Sequence, residues 1–127
     1  MITEFITYLQ GAGLTPSVKF AFTTEPIEDY SSELPVIMVY PVGLSASVSG
    51  IDNLVVQDTT STVACLLGCA VNEYETLLDE LRAAAMGWVH GTHDAMELES
   101  AQIEGIKGGY IWWRESYSVR RRIRQTI

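Results

Sequence analysis

Residues 71–88 constrain the fold more than any other stretch. Val71, Tyr74, Leu77, Leu78, Leu81, Ala84, Ala85 and Trp88 recur at helical spacing and form one apolar stripe. Glu73, Glu75, Asp79 and Glu80 leave the opposite side wet, toward the end where the helix dipole favours acids. Asn72, with Glu75 three residues on, reads as a capping box, and Gly87 and Gly91 bracket the predicted stop. Such a stripe must be buried against something. The preceding run, residues 54–67, is rich in β-branched residues and reads as a long strand. Val55, Gln57, Thr59, Ser61, Val63 and Cys65 share one face. Its middle is polar on both faces, which predicts a strand that protrudes past the core or lines an interface. A single α+β domain follows, with this helix packed on an antiparallel or mixed sheet.

The remaining segments fit that frame. Ile2, Phe5, Ile6 and Leu9 predict a short N-terminal helix over residues 2–11, ended by Gly11 and Gly13. Val18, Phe20 and Phe22 alternate as in a strand. Residues 23–35 read as an acidic loop, and residues 36–42 as a buried strand that Pro41 confines to an edge or an end. Residues 43–53 are rich in Gly and Ser and read as a hairpin tip. The last third predicts a C-terminal β-hairpin. Met96 and Leu98 lie in its first strand, residues 105–109 form the turn, and the second strand runs from Tyr110 to about Arg124. On that strand Ile111, Trp113, Tyr117, Val119 and Ile123 mark one face, and Trp112, Arg114, Arg120 and Arg122 the other.

Charge is divided along the chain. Residues 1–113 carry 15 acidic and 3 basic side chains, whereas residues 114–127 carry five arginines and one glutamate. A pI near 4.6 disfavours general nucleic-acid binding, because phosphates would meet a mostly acidic surface. The basic end is expected to meet an acidic surface, and a protein partner is favoured over nucleic acid. The residues expected in contact are Arg114, Arg120, Arg121, Arg122, Arg124 and Trp112. The acidic loop residues Glu25, Glu28, Asp29 and Glu33 are the first choice for the facing surface. Trp112 is read as an exposed anchor beside the arginines. No apolar run is long enough to span a membrane, and the N-terminal residues lack the pattern of a signal peptide. Cys65 and Cys69 are expected as reduced thiols that pack as small hydrophobes.

Chemistry-bearing motifs are sparse. His90, His93 and Asp94, with Glu97, are the one grouping of metal-ligand types. They lie in a loop that does not fix both rings on one face, and there is no third histidine, so neither metal nor cofactor is expected. The cysteines lack the two-residue spacing of redox or zinc motifs. The serines and threonines of 58–62 have no nucleophile-elbow pattern, and Gly105, Gly108 and Gly109 do not open a helix as a phosphate loop does. The alternatives to a structural protein are an enzyme centred on His90 and His93, or an acidic adaptor whose arginine strand binds a partner.

The order helix, strand, acidic loop, strands, amphipathic helix, terminal hairpin resembles the tail terminator (tail completion) proteins of long-tailed bacteriophages. The resemblance is carried by residues 54–63 (LVVQDTTSTV), 72–81 (NEYETLLDEL) and 110–120 (YIWWRESYSVR). It implies a non-enzymatic virion protein, assembled in the host cytoplasm, that closes the head-proximal end of the tail tube as a hexameric ring. It further implies contacts with the tail tube protein and with head or neck connectors, and DNA passing through the pore without specific binding. Other head–tail connector and neck proteins share the size and layout. A closed ring presents two different surfaces on each subunit, which suits a chain with a basic end and an acidic body.

Overall fold

A computed structural model describes residues 1–20, 34–47 and 54–126. The predicted residue Phe22 and the acidic loop with Glu25, Glu28, Asp29 and Glu33 lie outside the described residues. The elements are α1 (Ile2–Gln10), β1 (Ser17–Phe20), β2 (Val36–Ala46), β3 (Leu54–Ala70), a 3-10 turn (Val71–Glu73), α2 (Tyr74–Ala85), β4 (Glu97–Lys107) and β5 (Tyr110–Thr126). The five strands form one mixed sheet in the order β1-β2-β3-β5-β4. β1 pairs parallel to β2, and the other neighbours are antiparallel. This is the α+β architecture that the periodicities predict.

Both helices lie on one face of the sheet. Phe5, Ile6 and Leu9 of α1 and Leu77, Leu78, Leu81 and Ala85 of α2 share a single buried cluster with Ile37, Val39, Val63, Cys65, Leu67, Cys69, Ile111, Tyr117 and Val119. The β2, β3 and β5 members are the odd-numbered residues, as period-two alternation requires, and Val18 joins them from β1 opposite Ile37. Tyr8 Oη donates to the Ala84 carbonyl at 2.7 Å, and Thr15 donates to Glu80 through its backbone N–H (2.9 Å) and its hydroxyl (3.1 Å). These bonds tie the α1 segment to α2. The other face carries a smaller cluster of Val36, Met38 and Leu66, with Leu34, Tyr40 and Trp112 packed on it. No helix among the described residues is long and apolar enough to cross a membrane.

Five expectations change. First, β2 continues through Pro41 to Ala46, so Gly43–Ala46 are strand and not hairpin tip. Among the described residues β1 flanks this strand as far as Val39, and a bulge between Pro41 and Gly43 absorbs the irregularity at the proline. Second, the amphipathic helix is shorter than 72–88. It starts in a 3-10 turn without a side-chain cap and ends at Ala85, so Asn72 and Glu75 form no capping box. Trp88 still packs on the core from the following segment. Third, the hairpin turn is two residues, Gly108 and Gly109, both at positive φ, with Lys107 paired to Tyr110. That backbone matches the twist of the flanking strands and needs no side chain.

The fourth change concerns Trp112, which is half-buried and not an exposed anchor. It lies across its register partner Gly68, where an added Cβ would overlap the indole ring. The fifth is Glu115, absent from the apolar face as read from sequence. It projects from β5 between Trp113 and Tyr117 on the helix side and is fully buried. It pairs there with Arg82 of α2. One charge is therefore taken into the core by β5 and neutralised from the helix layer.

Candidate assembly surface

β3 and β5 each run 17 residues, yet the core occupies only part of that length. The last β5 residue in the main cluster is Val119, opposite Ser61. Past it, β3 and β5 stay paired to the register Leu54–Thr126, and β2 flanks β3 as far as Ala46–Thr59. From the Thr60–Arg120 pair outward this ladder covers seven rows, about 23 Å at the usual strand rise. It forms an arm, three-stranded as far as Ala46–Thr59 and, among the described residues, two-stranded beyond, which the polar middle of residues 54–67 foreshadows.

Among the described residues the start of α1 reaches the arm's helix-side face only at Arg121, which shares a groove with Met1 and Glu4, and no helix covers the rows beyond. The bulge at Pro41 shifts Leu44 onto this face, opposite Ser61. Leu44 is 66 % exposed, and Ile123, further out on β5, is also exposed. Arg121 stands between these rows on the same face, opposite Thr59, whose hydroxyl donates to the Arg121 carbonyl at 3.1 Å. Val42, in the bulge, is 57 % exposed.

The arginines of β5 find acids within their own chain. Arg122 reaches Asp58 on β3 at 2.9 Å, Arg120 reaches Glu97 on β4 at 3.4 Å, and Arg114 reaches Glu104 on β4 at 3.2 Å. The Arg122 guanidinium, through its hydrogen bond, holds the Asp58 carboxyl below the usual range. The charge split along the sequence is thus partly closed in space, because β5 lies between β3 and β4. These are exposed pairs of the kind that contribute little to stability and can be exchanged for others. Arg121 makes no ion pair among the described residues. The side chain of Arg124 lies outside the described set; its main chain pairs with Val56.

The histidine loop meets the arginine strand, a juxtaposition the sequence does not show. The Asp94 N–H donates to the Arg120 carbonyl at 2.8 Å, which seats residues 90–94 on the edge of β5 just beyond the end of β4. Two shallow grooves result. One, of about 520 Å³, is lined by Asp58, Thr92, Asp94, Arg120, Arg121 and Arg122. The other, of about 390 Å³, is lined by Met1, Glu4, His90, Gly91, Thr92, His93 and Arg121. His90 stacks on Trp88 with ring centroids 5.6 Å apart and planes 11° from parallel. Burial, reinforced by Arg121, lowers the pKa of His93 from its ordinary value. The two imidazole centroids are 6.4 Å apart and tilted by 46°. Among the described residues no group of three or more His, Cys, Asp or Glu side chains converges on a common point that could hold a metal ion.

The thiols are core residues. Cys65 is fully buried beside Glu115, and burial raises its pKa far above that of a free thiol. Burial pushes Cys69 up to about 11. Neither is poised as a nucleophile. No protein-family model and no curated protein matches the chain.

Proposed function

We propose that this protein is a structural subunit of a long-tailed bacteriophage tail, a tail terminator that closes the head-proximal end of the tail tube as a ring and joins it to the head or neck. The observation that carries the reading is the arm. A strand ladder extended past its own core, with exposed Leu44 and Ile123 and an exposed Arg121, is an element shaped for contact with another chain. A lone monomer gains little from holding about 23 Å of ladder past its core. In a ring each subunit offers such an element to a different surface on its neighbour, and the contact closes on itself. The role is architectural, with DNA passing through the ring.

Sedimentation and negative-stain microscopy of the purified protein, alone and with tail tubes, test this. The expected result is a several-fold multiple of 14.1 kDa, as free rings or as caps on tube ends. Association should weaken as salt rises, since exposed charges are screened over ~10 Å at 0.1 M. A single 14.1 kDa species at high concentration that also leaves tube ends bare would overturn the proposal.

A further inference from the structure

We infer that the groove beside α2 is the receiving surface for the arm of a second copy, with Arg121 as the inserted cation; the inference rests on the ring reading above. The groove, of about 360 Å³, is lined by Tyr74, Glu75, Leu78, Asp79, Arg82 and Trp113. Its floor is aromatic and apolar: Tyr74 and Trp113 stand 6.0 Å apart with planes tilted by 33°. Its rim is acidic. Glu75 and Asp79 lie one helical turn apart, both exposed, and neither makes an ion pair among the described residues. Arg82 also lines the groove, but its guanidinium is committed to the buried Glu115. The rim therefore presents two carboxylates over aromatic rings, with Tyr74 Oη 3.5 Å from a Glu75 oxygen and Arg82 close enough to Asp79 to interact electrostatically.

Like charges one turn apart destabilise a helix in the free subunit, and a cation between them removes that repulsion. A guanidinium is the group that best combines paired carboxylates with aromatic faces, through forked hydrogen bonds and stacking. Among the described β5 arginines, Arg121 alone makes no ion pair within the chain. It is flanked on its own face by Leu44 and Ile123, apolar contacts for a floor such as Leu78. The arm cannot reach its own groove. Arg121 and Trp113 are eight residues apart on one extended strand, about 26 Å. The contact therefore joins two copies, and repeated head to tail, as the ring reading requires, it closes a ring.

The test uses three full-length variants: Arg121→Glu; Glu75→Lys with Asp79→Lys; and all three changes in one chain. Circular dichroism melts check folding, which these exposed changes should leave intact. Sedimentation and tail-tube capping read assembly. Each one-sided variant should self-associate roughly tenfold or more weakly than wild type, and the combined variant should recover. If wild type assembles and either one-sided variant assembles equally well, the docking inference is wrong and the ring reading stands. If both one-sided variants fail but the combined chain does not recover, Arg121 and this groove are not partners. If wild type itself never assembles, the ring reading falls and this inference falls with it.

Discussion

Two stretches of the same β3–β5 ladder differ in what covers them. Between Val63–Tyr117 and Ala70–Tyr110, the odd-numbered side chains lie under α1 and α2. Between Leu54–Thr126 and Thr60–Arg120, the main chain continues in the same register, with no helix among the described residues over its outer rows. Hydrogen bonding is alike in both, so the ladder itself does not separate them. Burial does. The covered stretch carries Val63, Cys65, Leu67, Cys69 and Tyr117, while the arm carries Gln57, Thr59, Arg121 and Ile123 on the same face. Net stability resides where apolar area leaves water, and the bare ladder is held in place by its continuity with that region.

The largest expected contrast is between Leu81→Ala, under the helix layer, and Leu44→Ser, on the arm. The first should cost ~2–5 kcal/mol in denaturant unfolding. The second should stay within about 0.5 kcal/mol. Equal costs would mean that the arm belongs to the cooperative core and would remove the contrast.

Gly68→Ala probes the opposite sheet face in the covered stretch. The new methyl group must displace Trp112, which should cost ~1–3 kcal/mol and shift the tryptophan emission. Adding Trp112→Leu should recover part of the loss. No recovery would mean that the cost arises in the strand backbone and not at the indole.

His93 sits where the two stretches meet, against Arg121. Its folded-state pKa is depressed below the ordinary value near 6.5, so the unfolded chain binds that proton more tightly. The stability from neutral His93 is present above the unfolded pKa and is lost as pH falls through it toward the folded value. His93→Asn should flatten the decline in melting temperature between about pH 7.5 and 5.5. An unchanged slope would exclude His93 as its source.

The smallest effect is chemical. With Cys65 and Cys69 in the covered stretch and their thiol pKa values raised, iodoacetamide at about pH 8 should leave both unmodified in the native protein. Both should alkylate in denaturant, as read by intact mass. Rapid native alkylation would show the covered stretch opening locally.

Alternation over 54–67 and over the last strand named the strands and their faces, and the stripe over 71–88 named the helix. Sheet and helix periods are properties of a few consecutive residues, so a sequence displays them directly. Element ends were less legible. Gly43–Ala46 looked like a loop by composition, yet pairing with Ser61 and Thr62 extended the strand. Asn72 looked like a cap, but a 3-10 turn continuing from β3 left it no such role.

The candidate surface was legible only in pieces. His90, His93 and the arginines stand out by type, but their meeting depends on the Asp94–Arg120 hydrogen bond. The groove on α2 gave no signal beyond an acidic helix face, because its floor comes from Trp113 on a distant strand. Sequence alone determined the α+β class, the two strand faces and the basic character of β5. Tertiary structure alone decided that Arg122 would spend its charge on Asp58, that Glu115 would be buried against Arg82, and that Trp112 would lie over Gly68. Those outcomes join residues 33 to 64 positions apart, and no local period encodes which distant side chain a folded strand will face.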